Sequence, residues 1–215
     1  MAVLISGGGS NLKALRDAAA DPDFPARIVA VGSDTDAPGL EFAREAGVPT
    51  FVVRPADSPD RETWGQLLAA ALQEHGIGTG PEPWLVVSAG LMRILPPGFV
   101  RVFSPRLINT HPALLPKFPG AHAVRDALAA GATETGVTVH VIDDGVDTGP
   151  ILRQRAVPIL PGESEGELHE RIKQIERPLL VEVVRDIAEG TLALPGDAQP
   201  EAEGSIAPHG HARST

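Results

Sequence analysis

Asn109 and His111 stand two residues apart in "RLINTHP", at the end of an apolar run. In an extended strand such residues project to the same side, so an amide and an imidazole are presented together. Prolines at 112, 116 and 119 then stiffen the chain. A second polar cluster, "DDGVDTGP" (143–150), also follows an apolar run and carries Asp143, Asp144 and Asp147. Taken alone, Asn109 reads as a turn cap and His111 as a histidine bonded to a backbone carbonyl. The acids of 143–150 read as a solvated turn, as an oxygen-rich Mg²⁺ or Ca²⁺ loop, or as the source of a carboxylate that orients or charges His111. Together, amide, imidazole and carboxylate suit a reaction that develops an oxyanion. The amide donates an N–H to it, the imidazole exchanges a proton, and a neighbouring carboxylate favours the imidazolium. The chain has no cysteine and no serine in an evident nucleophile elbow. That points away from an acyl-enzyme and toward direct attack by a substrate nucleophile.

A third feature is "LISGGGSNLKAL", in which Gly7, Gly8 and Gly9 lie between an apolar run and a helical pattern expected to be capped by Ser10 or Asn11. Free N–H groups and the helix dipole make such a turn an anion site, although many strand-to-helix turns are glycine-rich for tightness alone. Gly7 and Gly9, followed by Asp34 or Asp36, also approach a dinucleotide fingerprint. Leu12 occupies the third glycine position of that fingerprint, so a single phosphate is the preferred ligand.

These groups need a scaffold, and the chain spells one out. Val- and Ile-rich runs lie at 2–6, 27–33, 50–53, 84–90, 106–110, 136–142 and 151–159, with helical patterns over 10–20, 38–46, 60–75 and 96–103 between the first five. The alternation predicts an α/β fold, a mostly parallel twisted sheet with helices on both faces. Only residues 143–150 separate the last two runs, too few for a crossover, so antiparallel strands are expected at the C-terminal side. In such sheets ligands bind at the carboxyl ends of strands, which is where Asn109 and His111 fall. Residues 164–190 read as one long helix opened by a capping box, Ser164 with Glu167, and stopped by Gly190. Pro178 is expected to kink or interrupt it.

The 215 residues suffice for one well-buried domain or two small ones. A net charge of −10 disfavours a nucleic-acid surface. The absence of cysteine excludes disulfides and thiolate metal sites. No basic leader and no apolar run of membrane-spanning length is present, so a cytoplasmic protein that engages no membrane is expected. Residues 195–215 are almost free of large apolar side chains and are expected to form a disordered tail.

Five separated stretches, "LISGGGSNL", "GLMRILPP", "LINTHPALLPKFPGAHA", "TGVTVHVIDDGVDTGPIL" and "LHERIKQIERPL", occur in order with fitting gaps. In these the chain resembles the phosphoribosylglycinamide formyltransferase family, from about Ala2 to Leu194. The resemblance implies a Rossmann-like catalytic domain over 1–194 that moves a formyl group from 10-formyltetrahydrofolate to glycinamide ribonucleotide without a metal, as a monomer or homodimer. It implies Asn109, His111 and Asp147 as the catalytic set. Gly9, Ser10 and Asn11 would hold the substrate phosphate, with Lys173 helping, and Glu176 would hold the ribose hydroxyls. Met92, Arg93, Ile94 and Leu95 would receive the folate, largely through backbone groups, with Arg61, Asn109, Asp143 and Asp144 adding contacts. Related formyltetrahydrofolate hydrolases and methionyl-tRNA formyltransferases share the Asn-x-His-Pro strand end. The first are expected to carry an extra N-terminal domain and the second a basic C-terminal one. A nucleotide-binding oxidoreductase is the reading from another class.

Overall fold

The seven apolar runs form the seven strands of one sheet: β1 (Ala2–Ile5), β2 (Ala30–Ser33), β3 (Thr50–Val52), β4 (Val86–Ser88), β5 (Leu107–His111), β6 (Glu134–Val141) and β7 (Ile151–Pro158). The computed structural model describes residues 1–197. Strand order is β3-β2-β1-β4-β5-β6-β7. Strands β1 to β5 pair in parallel, and β6 and β7 add antiparallel at the C-terminal side. Among the described residues six α-helices accompany them, α1 (Ser10–Ala19), α2 (Leu40–Glu45), α3 (Arg61–Glu74), α4 (Pro97–Phe103) and α5 (Ala123–Ala129) between strands and α6 (Glu165–Ala188) after the last. The expected α/β architecture is what the described residues adopt, with all seven strands in one continuous sheet. Helix α5, following a Pro- and Gly-rich stretch, has no counterpart in the expected helical patterns.

Alternation along the strands sends side chains to two unlike faces. Val3, Ile5, Val31, Val87, Ile108, Val139 and Val141 pack with Leu12 and Leu15 of α1 and with Ile172, Leu180 and Val183 of α6. Ala2, Leu4, Val86 and Leu107 turn the other way, against Trp64, Leu68 and Leu72 of α3 and Phe99 and Phe103 of α4. This second cluster stops at Leu107 on β5. Asn109 and His111 continue the same face beyond it, at the strand's carboxyl end.

Helix α6 starts as the sequence predicts. Ser164 Oγ accepts from Glu167 N, and Glu167 Oε2 accepts from Ser164 N. It differs at Pro178, which lies inside a helix that runs unbroken to Ala188. A proline in a helix interior costs about 3 kcal/mol. Burial of Leu179, Leu180, Val183 and Val184 just beyond it offsets that, at roughly 1.5–3 kcal/mol for each large side chain. Of the expected tail, Pro195–Asp197 are described: the Asp197 carboxylate accepts from Leu194 N and pairs with Arg106, both at 3.1 Å. The rest of that expectation, from residue 198 on, lies outside the described residues.

Two substitutions on α6 separate local from tertiary stabilisation. Ser164→Ala should cost about 1 kcal/mol, whereas Leu180→Ala should cost about 2–5 kcal/mol. Urea titrations followed by circular dichroism would measure both; equal losses would contradict this account of the helix.

Candidate active site

Strand β5 delivers its polar residues to opposite faces. Thr110 points toward α6, where its hydroxyl donates to Glu176 Oε1 at 2.9 Å in a buried contact. Asn109 and His111 point the other way. Across the antiparallel ladder Asn109 stands opposite His140 of β6, and its Nδ2 lies 3.2 Å from His140 Nε2. The β6–β7 register shifts between Val139 and His140, an irregularity typical of sites where side chains are re-aimed.

Asp147 closes this constellation from the β6–β7 loop. Its Oδ2 accepts from Gly120 N at 2.7 Å and lies 3.3 Å from His111 Nδ1, while Oδ1 lies 3.6 Å from His140 Nε2. His111 Nε2 is 2.8 Å from the Phe118 carbonyl. Both nitrogens of His111 therefore face oxygens that can only accept, an arrangement that the doubly protonated ring satisfies. Asp147 and Phe118 are the two non-glycine residues with left-handed backbone among those described, each at φ 54°, a conformation that costs energy and clusters at functional sites. The loop returns tightly to β6 at Gly149, where a Cβ would come 1.8 Å from the Val141 carbonyl oxygen. Asp143 braces the same loop, its Oδ1 accepting from Gly145 N at 3.0 Å and Thr148 Oγ1 at 2.7 Å. Asp144 lies beside it, exposed. Of the three readings of this cluster, the carboxylate that orients His111 is the one the geometry realises.

The second anchor is the loop 113–120. Thr138 of β6 donates to the Ala113 carbonyl at 2.6 Å and accepts from Leu115 N at 3.1 Å. Gln154 of β7 adds a bond to the Leu115 carbonyl at 2.9 Å. These contacts fix the segment that supplies the Phe118 carbonyl and the Gly120 N–H.

At the end of β1 the structure corrects the expected cap. Gly9 is the N-cap of α1, with φ 69°, and neither Ser10 nor Asn11 caps the helix. A Cβ on Gly9 would lie 2.9 Å from Gly39 Cα, so the turn is glycine because two backbones touch. Ser10 is the first helical residue, and Asn11 is buried with its Oδ1 unpartnered among the described residues. The N–H groups of Ser10 and Asn11, in the first turn, have no intrahelical acceptor. Asp34, one acid of the dinucleotide alternative, is buried and bonded to Arg93 Nε at 2.9 Å. Asp36, the other, holds Arg54 Nη2 at 2.6 Å.

The loop after β4 lies beside this turn. Met92 N donates to Ser6 Oγ at 2.7 Å, and Ser6 N to the Gly90 carbonyl at 3.0 Å. Met92 and Ile94 are exposed, and Leu95 is buried. Arg61 donates to the carbonyls of Ile94 at 3.0 Å and Leu95 at 2.8 Å, so it shapes this loop directly. Lys173 pairs with Glu170 at 2.7 Å and not with Glu176. The sequence-predicted residues thus fall in three neighbouring groups: Asn109, His111 and Asp147; Gly9 to Asn11; and Arg61 with Met92 to Leu95. Glu176 lies behind β5. His140 joins the first group without having been singled out, because its only signal is a histidine in an apolar strand, meaningful once β6 is known to pair with β5. Among the described residues, no cluster of three or more His, Asp or Glu is arranged to hold a metal ion, and no helix is long and apolar enough to cross a membrane.

A formyl transferase family model matches residues 1–184. The chain belongs to the formyl transferase family. It is 55% identical over 188 residues to phosphoribosylglycinamide formyltransferase of Mycobacterium tuberculosis, covering 87% of this chain and 84% of the relative. The protein of that name from Escherichia coli is 39% identical over 193 residues, 89% of this chain and 88% of its own. The crystal structure of glycinamide ribonucleotide transformylase 1 from Symbiobacterium toebii superposes with a TM-score of 0.84 at 42% identity, covering 91% of this chain and 90% of that one. Formyl transferases need donors for an oxyanion and a route for one proton, and both kinds of group converge at the end of β5.

The electrostatics of Asp147 give a pH test. Burial pushes its carboxyl pKa up, but the nearby His140, the Gly120 N–H and the neighbouring His111 outweigh this, and the net shift is downward from 3.8. A depressed folded-state pKa stabilises the fold above the unfolded value, and this is lost as pH falls through the folded value. Wild type should therefore lose stability relative to Asp147→Asn as pH drops below about 4, with a constant difference above about pH 5. Denaturant midpoints of both proteins across pH 2.5–7, roughly the range in which carboxyls titrate, would show it; parallel curves would contradict the assignment.

Proposed function

We propose that the protein transfers the formyl group of 10-formyltetrahydrofolate to the primary amine of glycinamide ribonucleotide, releasing tetrahydrofolate and N-formylglycinamide ribonucleotide. The observation that carries this reading is the Asp147 carboxylate set between His111 and His140 beside Asn109, in a chain 55% identical to a phosphoribosylglycinamide formyltransferase.

The neutral amine attacks the formyl carbon, the new C–N bond forms, and the carbonyl oxygen becomes an oxyanion. An Asn109 N–H and a His111 N–H donate to it. For His111 the donor is Nε2–H, redirected from the Phe118 carbonyl, while Asp147 at Nδ1 sustains the positive ring. Collapse breaks the bond to folate N10, which takes up a proton as the amine gives one up; His111 is the group placed to pass it. A substrate α-amino group titrates near pH 8, so an appreciable fraction is already neutral and no strong base is needed. The phosphate sits on the N–H groups of Gly9 to Asn11 at the start of α1, with Lys173 adding charge. Glu176 accepts from the ribose hydroxyls. The folate lies on Met92–Leu95, the backbone held open by Arg61, with the 143–147 loop closing against it.

Tetrahydrofolate release should depend on the amine substrate. Release without it would mark a hydrolase, and no release would end the proposal. Asp147→Asn and His111→Asn should each lower turnover by roughly 10²- to 10⁴-fold, the usual worth of a positioned acid–base group. Removing the phosphate from glycinamide ribonucleotide should weaken its binding at least about 100-fold, since a charge-assisted set of N–H bonds is lost. Isothermal titration with the dephosphorylated compound would measure this, and equal affinity would remove the glycine turn from the site.

A further inference from the structure

We infer that His140 is a positioning residue for Asn109: as a neutral ring protonated on Nδ1, it determines that the nitrogen end of the Asn109 amide, and not the oxygen end, is held at the reacting carbonyl. This rests on the proposed formyl transfer and adds to it a residue that the triad does not contain.

An asparagine amide has two ends of nearly equal shape and opposite chemistry. In one orientation it donates to an oxyanion; flipped, it repels one. Among the described residues the sole side-chain hydrogen bond of Asn109 is to His140, Nδ2 to Nε2 at 3.2 Å. The choice therefore falls to this ring. His140 Nδ1 lies 3.0 Å from the Val141 carbonyl, which can only accept, so Nδ1 carries a hydrogen. In the neutral ring Nε2 then has a lone pair and no hydrogen. The Asn109 amide nitrogen has only N–H bonds to offer, so the contact is a hydrogen bond from Asn109 to His140. A flipped amide would set Oδ1 lone pairs against the Nε2 lone pair. Asp147 Oδ1, at 3.6 Å from Nε2, is beyond ordinary hydrogen-bond range and does not demand a proton there.

The ring itself cannot wander. His140 is 2% exposed, sits in the ladder directly opposite Asn109, and is fixed in plane by its bond to Val141. Asn109 Nδ2 carries two hydrogens. One is spent on His140, and the second, about 120° away in the amide plane, remains for the oxyanion. The same carboxylate, Asp147, thus contacts two histidines with different tasks. His111, with acceptors at both nitrogens, is the proton-bearing ring. His140, with an acceptor at one nitrogen and a donor at the other, is the neutral one.

Wild type, His140→Ala, His140→Gln, Asn109→Ala and the His140→Ala/Asn109→Ala double variant would be assayed for amine-dependent release of tetrahydrofolate. Wild type must turn over; if it does not, the proposed function fails and not this inference. His140→Ala should lower kcat by about 10- to 100-fold, as expected for a misplaced reacting group, with KM for either substrate changed less than about two-fold. His140→Gln, whose Oε1 can accept from Asn109, should recover a large part of the loss. In the Asn109→Ala background, His140→Ala should add little, because the residue acts through Asn109. Unchanged kcat in His140→Ala, additive losses, or no recovery with Gln would overturn the inference. Should His140→Ala fail to fold, wild type alone still decides: heteronuclear NMR should show a nitrogen–nitrogen coupling across the bond from Asn109 Nδ2 to His140 Nε2, and a protonated Nε2 would refute it.

Discussion

A carboxylate removed from water must be repaid in hydrogen bonds and opposite charge, or it takes up a proton. Asp147, with its side chain 14% exposed, meets that demand with the Gly120 N–H and the His111 imidazole. Each partner comes from a different part of the chain: Gly120 from the loop after β5 and His111 from β5 itself, while Asp147 arrives from the β6–β7 loop. Satisfying one negative charge therefore draws three segments to a single point. The left-handed backbone at Asp147, the close return at Gly149 and the braces from Thr138 and Gln154 all serve to keep that point where it is. Without the charge, these features would be unexplained strain.

The sheet supplies the address. Its two faces are covered unequally, and the cover from α3 and α4 ends at Leu107. One strand-step further the same face carries the half-buried Asn109 and then the buried His111, where their dipoles act in a weakly screening medium. On the opposite face Thr110 meets Glu176 of α6. Three consecutive residues of one strand thus reach two sides of the sheet, which pleating alone brings about.

Much of this was legible in residue order. Seven apolar runs became seven strands, and Asn109 and His111 lie where their spacing puts them. The capping box at Ser164 formed because its signal is local, contained within four residues. What was not legible depended on distant pairing. His140 looks like one polar residue in an apolar strand until β6 is laid against β5. Pro178 promised a break because the rule against it is local, while the packing that overrides it comes from the sheet. The cap of α1 was misread for a similar reason: Ser10 and Asn11 are good caps in isolation, but the contact between Gly9 and Gly39, thirty residues apart in the chain, moves the helix start one residue earlier. Asp34 and Asp36 looked available to a ribose, and only the fold shows both engaged by arginines.

The strand order β1-β4-β5 has a consequence for which molecules fit. The glycine turn ends β1 and Asn109 ends β5, with β4 between them. Neighbouring strands are spaced by about 4.8 Å, so the glycine turn and Asn109 are separated by roughly 10 Å of hydrogen-bonded backbone. That interval is a ruler engraved in the sheet. A loop can be reshaped by substitution, but the gap between two parallel strands cannot be stretched without breaking the ladder. With the proposed phosphate at one end and the proposed amine at the other, discrimination by length is written into main-chain geometry, and evolution at the rim can alter what is recognised at either end while leaving the distance between the ends untouched.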